Sequence, residues 1–531
     1  MKTNIVILTL LLTAVLSVNS AWAAMPLIEN VSFVQETDGS GQVVINYDLF
    51  DADGDAVTIT LRASGDGGLT WDLICDTVSG DAGSGVLSGT GKTIVWYFGV
   101  DYPNFFSDQV MVRVMADDGV PSSGPFANYI AIGNSLTSGY MDGGLHIAGQ
   151  TTSYPQLIAD ALGYQADSFS QPMVASPGIG SSAAPPGYVA GVFYFNGSGI
   201  GLLGLTPIVE VPSLLLNVTW PVPYSNLGVP GATTSDVLNC TSSANSQVPG
   251  NPYFDIILRN SYFDDLTMTE QAISRGPTLV TCWIGNNDIL NGATSGEPMV
   301  GVNITPTAEF SVMFETILDR TAEQVMTEFG WAPVMITANI PSISNVPYFI
   351  PVELFEVMIG SPYPYEENPV YVLFPALSYV AGGQPPLPSY LTLDEGEVAV
   401  IEGMIAEYNA VIASASAQRS IMLYDVHLEM AEFSPSQKAH LFTLLGSGMD
   451  MVTAAETTEF SLDGIHPNNH GYANLAQGFL NQINSEFGTS FEVPTDLVWD
   501  PTYGVPVTEM DSPQVTSEAA QAMTNLFNKI E

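Results

Sequence analysis

The chain has 531 residues and a formal net charge of −45, with 55 Asp and Glu against 10 Lys and Arg. So few cations cannot neutralise phosphates, which excludes nucleic acid and polyphosphate as partners. The length exceeds what one ordinary core accommodates and predicts two domains with long insertions. An acidic balance of this size is typical of soluble extracellular proteins in salty surroundings, where screening limits self-repulsion.

Residues 1–24 have the pattern of a secretory signal peptide. Lys2 precedes the apolar run 5–16, and Ala21-Trp22-Ala23 is a small-x-small cleavage site. The apolar run is too short to span a bilayer, and no later segment resembles an integral membrane span. We therefore expect an exported protein, either secreted or held in the periplasm or at the cell surface.

Three cysteines remain after the signal: Cys75, Cys240 and Cys282. Export permits a disulfide, but the odd number leaves at least one free thiol. No Cys-x-x-Cys and no Cys/His pair has the spacing of a zinc site. We therefore expect neither a metal nor another cofactor.

Residues 25–120 predict a small all-β sandwich. Runs with alternating apolar residues at 42–47, 57–61 and 93–97 are separated by Gly/Asp turns every ten or so residues, which is typical of this architecture. The module resembles the immunoglobulin-like or fibronectin-like domains appended to exported enzymes. No residue in it indicates chemistry.

Two turns of this module have recognisable patterns. Asp51, Asp53 and Asp55 cluster three carboxylates, but the twelve-residue calcium loop with its terminal Glu is missing, so the pattern favours a solvated turn over a calcium site. Residues 64–71 match an Asp-box hairpin, in which Asp and Ser bind turn amides and Trp packs beneath. A single copy indicates a folding device.

After a linker at 121–127, residues 128–490 alternate strands with helices. Strands are predicted at 129–132, 279–284, 333–337 and 421–425, and helices at 153–162, 310–329, 395–417 and 469–487. Strands followed by helices of this length predict an α/β fold, with a parallel sheet covered on both faces. Residues 491–531 form a C-terminal tail of unassigned role.

Two long insertions interrupt this scheme at about 171–224 and 345–393. Both are rich in Gly, Pro and bulky apolar or aromatic residues, which argues against disorder. The composition leaves two interpretations open. The insertions form either a satellite core or the wall or lid of an apolar acyl-binding cleft, because both need the same residues.

Four segments place polar residues at strand or helix boundaries, where open α/β sheets bind their ligands. The first is Gly133-Asn134-Ser135-Leu136, after the strand 129–132. The second is the turn 226–233, which contains Gly231. The third, Gly285-Asn286-Asn287-Asp288, follows an apolar strand, and the fourth, Asp463-Gly464-Ile465-His466, precedes the last helix.

In this order, the four segments resemble the four sequence blocks of the SGNH (GDSL-type) hydrolase superfamily. The resemblance covers roughly residues 128–490, with the two insertions as variable regions. It implies a three-layer α/β/α, flavodoxin-like catalytic domain and an ester-cleaving activity that needs no cofactor.

The resemblance also implies a role for each residue. Ser135 is expected to be the nucleophile, His466 the general base and later acid, and Asp463 the residue that orients the imidazole. The oxyanion hole is expected to combine the backbone N–H groups of Ser135 and Gly231 with the side-chain amide of Asn287.

The sequence departs from the family pattern at two points. Asn134 stands where the family usually has Asp, which removes a charge beside the nucleophile. Asn286 is an extra amide next to Asn287, and the family's Gly-x-Asn-Asp register selects Asn287. Asp288 is expected to bond within its own loop, and the other histidines, at positions 146, 427, 440 and 470, are expected at surface or helix positions.

The leading functional hypothesis is an exported serine hydrolase acting on small-molecule or lipid acyl esters, as a lipase or esterase. A carbohydrate esterase that removes acetyl groups from polysaccharides is the alternative, which export and the β-sandwich would equally suit. A third hypothesis, a non-catalytic surface or carbohydrate-binding protein, conflicts with the intact set of Ser135, Asp463 and His466.

Overall fold

The computed structural model describes residues 26–505, except positions 37, 52–53, 55, 66–72, 104, 108, 118–123, 165–167, 183, 198, 264, 384 and 495–496. The expected signal peptide, the first three residues of the predicted linker and the end of the tail lie outside the described residues. So do Asp53, Asp55 and most of the Asp-box segment, and the interpretations of those two turns remain predictions.

Two compact units share the chain. The first comprises Met1–Arg62, Ile74–Phe105 and Val112–Gly124, and the second comprises Ala63–Leu73, Phe106–Met111 and Pro125–Glu531.

The N-terminal region consists of short strands in two sheets, and the region is mostly antiparallel. One sheet has the order β1-β2-β7-β5, and the other has β4-β3-β6, with β8 also paired to β3. Every second residue of β2 and β3 is buried, as expected where one sheet face covers a core. The elements are β1 (Leu27–Gln35), β2 (Val43–Phe50), β3 (Val57–Ser64), β4 (Leu73–Ile74), β5 (Val78–Gly80), β6 (Gly83–Val86), β7 (Gly89–Trp96), α1 (Phe98–Asp101) and β8 (Met111–Asp117).

A parallel four-stranded sheet forms the centre of the second unit, in the order β21-β17-β16-β9. All residues of β9 and β16 are buried, which requires both faces of the sheet to be covered. The predicted α/β class and its parallel sheet are confirmed. The strands are β9 (Tyr129–Gly133), β16 (Leu279–Trp283), β17 (Val334–Ala338) and β21 (Met422–Tyr424).

The segment 225–229 runs beside β9 as a further edge of this sheet. Ala131 donates to the carbonyl of Ser225 at 2.8 Å, and Leu227 donates to the carbonyl of Ala131 at 2.9 Å. The sequence pattern predicted only a turn here. The extra pairing fixes the approach of the segment that carries Gly231, because its backbone is tied to the strand before Ser135.

The helices of this unit pack in two groups, α4 with α16, and α9 with α5, α7 and α12. Helix α16 begins and ends where it was predicted, because Asn468 caps its start and Gly488 ends it in a left-handed conformation. The helices are α2 (Ser135–Ser138), α3 (Ile147–Gln150), α4 (Tyr154–Ala161), α5 (Thr234–Asn239), α6 (Tyr253–Leu258), α7 (Met268–Ser274), α8 (Asn287–Ser295), α9 (Thr307–Phe329), α10 (Val352–Ile359), α11 (Ala376–Ala381), α12 (Glu395–Gln418), α13 (Val426–Glu432), α14 (Leu441–Gly446), α15 (Met451–Thr457) and α16 (Asn469–Phe487).

Small antiparallel pairs organise the two insertions. In the first, β12 pairs with β15 and β13 with β14, and β11 pairs with β10; in the second, β18, β19 and β20 form a three-stranded sheet. Phe193, Phe195, Phe355 and Phe374 are buried in the main core cluster. The remaining strands are β10 (Gly144–Leu145), β11 (Ile179–Gly180), β12 (Tyr188–Ala190), β13 (Phe193–Phe195), β14 (Ile200–Leu202), β15 (Leu205–Pro207), β18 (Phe349–Pro351), β19 (Pro369–Leu373) and β20 (Thr392–Asp394).

Among the described residues, α12 alone has the length and mean hydropathy of a membrane span. Core helices of soluble proteins meet the same criterion. One side of α12, including Ile401, Ile405, Tyr408 and Ile412, is buried within the unit. The three cysteines are buried, and none of them forms a disulfide.

Candidate active site

Ser135 lies at the start of α2, two residues beyond the end of β9. The side chain of Asn134 caps this short helix by accepting from the N–H of Leu136 at 3.0 Å. Gly133 allows the tight turn, because a Cβ there would lie 2.0 Å from Oγ1 of Thr137 and 2.7 Å from the carbonyl oxygen of Trp283. The turn therefore places the hydroxyl at the carboxyl edge of the sheet.

His466 joins Ser135 to Asp463. Its Nε2 lies 2.8 Å from Oγ of Ser135, and its Nδ1 lies 3.0 Å from Oδ2 of Asp463. The ring of Tyr140 packs against the imidazole, with the ring centroids 4.5 Å apart. The structure thus brings the three residues selected by sequence into one hydrogen-bonded chain across 331 positions.

Asp463 is almost fully buried yet well supplied with donors. Its Oδ1 accepts from the backbone N–H groups of Ile465 and His466, and its Oδ2 accepts from the N–H of Gly143 at 2.9 Å. Burial disfavours its charge, but the interactions with His466 and the backbone donors outweigh burial and lower the pKa below its ordinary value. The carboxylate is ionised and accepts Nδ1–H, which leaves the Nε2 lone pair directed at Ser135.

Asn287 and Asp288 hold the segment that contains Gly231. Nδ2 of Asn287 donates to the carbonyl of Ala232 at 2.9 Å. Asp288 accepts from the N–H of Thr234 at 2.9 Å and from its hydroxyl at 2.7 Å. The expectation that Asp288 bonds within its own loop was wrong, because its carboxylate joins the start of α8 to the start of α5. Burial raises the pKa of Asp288 to about 6.

The three N–H groups expected to form the oxyanion hole each have a hydrogen that donates to no described residue. The backbone N–H groups of Ser135 and Gly231 donate to no other described residue. Asn287 uses one of its two amide hydrogens on Ala232 and keeps the other. Gly231 has φ +81°, a conformation that favours glycine. Ser135 and Asn287 line the same cleft, an arrangement that can stabilise negative charge developing on a substrate oxygen.

Comparison with known proteins identifies the family. The profile of the GDSL-like lipase/acylhydrolase family matches residues 129–479. The chain belongs to this family. It is an ester hydrolase with an additional all-β region at its N-terminus.

Two solved structures are also similar to this GDSL-type hydrolase. An extracellular lipase from Streptomyces rimosus shares 15% identity over 67% of this chain and 98% of its own, with a TM-score of 0.28. A phospholipase A1 from Streptomyces albidoflavus NA297 shares 16% identity over the same fractions, with a TM-score of 0.26. At these TM-scores, neither carries an argument about this chain. No curated protein matches the sequence.

The cleft of the hydrolase measures about 760 Å³, including the solvent at its open mouth, and is apolar except around Ser135 and His466. Its polar lining residues are Asn134, Ser135, Asn286, Asn287 and His466. The other lining residues are hydrophobic: Leu136, Trp283, Ile289, Leu290, Ala293, Ile340, Pro341, Ile343, Val346, Phe349, Ile405, Met430, Phe460, Ile465, Pro467 and Leu475. The cleft can therefore hold a hydrocarbon chain with one polar end beside the serine.

The two insertions contribute little to this cleft. No described residue of 171–224 lines it, and among the described residues of 345–393 only Val346 and Phe349 do so. The first insertion instead packs its buried residues into the core of the unit, and the second reaches the cleft at its start. The walls come instead from α8, from the loop after β17 and from the segment around His466.

Two histidines assigned to surface or helix positions are in fact buried helix caps. His440 accepts from the N–H of Phe442 and lies 3.1 Å from the carbonyl of Leu462, and His146 accepts from the N–H of Ala148. Burial lowers the pKa of each to about 4. Both are neutral at pH 7, and neither is placed to contact Ser135.

Proposed function

We propose that this hydrolase cleaves carboxylic esters of medium to long acyl chains through an acyl-enzyme on Ser135. The observation that carries the proposal is the apolar cleft, whose polar lining residues are gathered around Ser135 and His466. Burying a methylene stabilises a complex by about 0.8 kcal/mol, so each carbon that the cleft accommodates favours longer chains.

In the first half of the proposed reaction, Nε2 of His466 takes the proton of the Ser135 hydroxyl while Oγ attacks the ester carbonyl carbon. The resulting oxyanion accepts from the N–H groups of Ser135 and Gly231 and from the remaining amide hydrogen of Asn287. The imidazolium then returns its proton to the departing alkoxide, and the alcohol leaves. Ser135 retains the acyl group.

In the second half, water attacks the acyl carbon and His466 takes its proton. The second oxyanion uses the same three donors. Its collapse breaks the bond to Oγ of Ser135, His466 returns the proton to that oxygen, and the carboxylic acid leaves. Asp463 stays ionised throughout, fixes the Nδ1–H tautomer and stabilises the imidazolium in both halves. Apart from the ester and water, every group that these steps use belongs to the chain.

Turnover of p-nitrophenyl esters with acyl chains of two, eight and sixteen carbons tests the chemistry and the chain length together. We expect the octanoate or the palmitate to have a higher kcat/KM than the acetate. Ser135→Ala should abolish turnover of all three. If the variant is as active as the wild type, Ser135 is not the nucleophile.

Leu290→Trp tests whether the cleft holds the acyl chain. The larger ring narrows the cleft, so we expect kcat/KM to fall for the longer esters and to stay unchanged for the acetate. Val312→Trp is the matched control, because Val312 is exposed on α9 and does not line the cleft. If acetate is the best substrate and Leu290→Trp affects all esters equally, the acyl-chain proposal fails. Acetylated polysaccharides then become the substrates to test.

A further inference from the structure

A second buried carboxylate, Asp142, lies next to the Asp463 loop. Its side chain is completely buried, and its backbone adopts a left-handed conformation with φ +53°. Oδ1 accepts from the N–H of Leu462 at 2.8 Å. Oδ2 accepts from the hydroxyl of Tyr503 at 2.8 Å and from Nε1 of Trp499 at 3.3 Å. Three donors from two distant segments thus converge on one carboxylate.

The backbone at Asp142 also donates hydrogen bonds to the loop that contains Asp463. The N–H of Asp142 donates to the hydroxyl of Ser461 at 3.0 Å, and the N–H of Gly143 donates to Oδ2 of Asp463 at 2.9 Å. That oxygen is also the one beside Nδ1 of His466. A shift of this turn would therefore change the hydrogen bonding of the carboxylate that orients the imidazole.

The donors from the C-terminal segment 498–503 are themselves fixed. The carbonyl of Val498 accepts from the side chain of Asn469 at 2.6 Å, and that of Pro501 accepts from the N–H of Phe195 at 2.6 Å. Trp499 is buried, and the ring of His146 packs edge-on against Tyr503. Tyr503 and Trp499 therefore present preorganised donors to Asp142.

We propose that ionised Asp142, held by Tyr503 and Trp499, is a positioning residue that fixes the Asp463–His466 pair for catalysis. The inference rests on the proposed roles of Ser135, His466 and Asp463. A carboxylate accepts at both oxygens from all three donors, whereas a neutral carboxyl or an amide presents a hydrogen to at least one of them. Loss of the charge therefore loosens the loop that carries Asp463.

Because the proposed role requires the charge of Asp142, the effect of replacing this residue on kcat should depend on pH. Burial is the main cause that raises its pKa, to about 7, and repulsion from Asp463 adds to it, while the donors from Leu462, Tyr503 and Trp499 oppose it. His146, packed on Tyr503, is neutral, since burial lowers its pKa to about 4. Asp142 is therefore charged at pH 8.5 and neutral at pH 5.5.

Asp142→Asn and Tyr503→Phe test the role in the full chain, with p-nitrophenyl octanoate as substrate. We expect Asp142→Asn to lower kcat about tenfold at pH 8.5, as is usual for residues that orient an active-site group, with KM within about twofold of wild type. At pH 5.5 the ratio of wild-type to variant kcat should approach one, because neutral Asp142 then resembles Asn. Tyr503→Phe should lower kcat at pH 8.5 about threefold, through the loss of one donor.

The N-terminal unit offers a matched control, Asp101→Asn. Asp101 accepts from the N–H and hydroxyl of Thr77 and from Nε1 of Trp96, a donor set like that of Asp142. Tyr224→Phe is the control for Tyr503→Phe, since Tyr224 is buried and donates to the carbonyl of Asn217. Both controls should leave kcat unchanged at both pH values.

Thermal unfolding of each variant shows whether it is folded at the assay temperature. If Asp142→Asn does not fold, Tyr503→Phe and Trp499→Phe decide the question. Equal kcat in folded variants and wild type, or a loss that is the same at pH 5.5 and 8.5, overturns the proposal. If Ser135→Ala is fully active, the proposed function itself has failed, whereas an inactive Ser135→Ala with unaffected Asp142 variants removes only the positioning role.

Discussion

Removal of the Asn287 side chain is a direct test of the oxyanion hole. Asn287→Ala deletes the amide that lines the cleft beside Ser135. It also deletes the 2.9 Å hydrogen bond to the carbonyl of Ala232. Because Ala232 follows Gly231, the substitution removes one proposed oxyanion donor and loosens the segment that carries another.

The expected decrease in kcat follows from the loss of these two interactions. A single oxyanion donor contributes about 100- to 1000-fold to kcat. Because Gly231 is loosened as well, we expect a loss near the upper end, about 1000-fold, with little change in KM since the oxyanion forms only in the transition state. Loss of the hydrogen bond to Ala232 should lower the free energy of unfolding by about 1 kcal/mol.

The assay compares kcat and KM for p-nitrophenyl octanoate with urea unfolding of the same samples. Asn286→Ala is the matched control, because Asn286 is the adjacent amide and lines the same cleft. Its side chain accepts from Nδ2 of Asn134 at 3.0 Å, so it supports the turn of the nucleophile. We expect Asn286→Ala to lower kcat less than tenfold.

Two results would refute this reasoning. A kcat for Asn287→Ala within twofold of wild type would show that its amide does not stabilise the transition state. A larger loss for Asn286→Ala than for Asn287→Ala would show that the donor is the other amide, and the register taken from the family pattern would be wrong.

Two further predictions concern stability. Arg259→Met should lower the free energy of unfolding by about 3 kcal/mol in urea titrations. The buried guanidinium donates to three carbonyl oxygens within 218–222, and the substitution leaves those oxygens without their donors. A change below 1 kcal/mol would contradict this. Asp142→Asn should gain stability relative to wild type as pH rises from about 5 to 8, by about 2 to 3 kcal/mol. The sign follows because the unfolded carboxyl, with a pKa of 3.8, releases its proton at lower pH than the folded carboxyl, whose pKa is about 7, so the wild type loses stability as pH rises to about 7. A relative loss with rising pH would refute it.

Local patterns account for the elements that the sequence predicted well. The last helix was predicted at 469–487 and lies at Asn469–Phe487, because its cap, its periodicity and its terminal glycine are all encoded within a few residues. The strands before Ser135 and Asn287 were equally evident, since continuous apolar runs of this length form buried parallel strands.

The insertions show where composition stops being informative. Both were compatible with a satellite core or a cleft wall, since each use requires bulky apolar residues. The structure buries Phe193, Phe195 and Tyr224 of the first insertion away from the cleft. It uses inconspicuous positions such as Leu290 and Ala293 as the walls of the cleft. Which apolar residues face a cleft depends on contacts between segments, which no local pattern encodes.

Asp142 is the clearest case of a residue that sequence reasoning could not find. In the sequence it is an aspartate before two glycines, a pattern that predicts an ordinary turn. Its partners Leu462 and Tyr503 lie 320 and 361 positions away. Because charge compensation of a buried carboxylate depends on spatial neighbours alone, nothing around position 142 indicates that it is buried beside Asp463.

The sequence by itself determined the chemistry of this protein: a serine, a glycine, an amide and an Asp-x-x-His pair, each at a boundary of an α/β element. Those features are local, because turns, caps and apolar runs are specified by neighbouring residues. Only the tertiary structure decided how the groups meet, with Ser135 and His466 at 2.8 Å, Asp288 bonded to another helix, and Asp142 linking the C-terminal segment to the Asp463 loop. Burial and long-range hydrogen bonds set those contacts, and both exist only once the chain is packed.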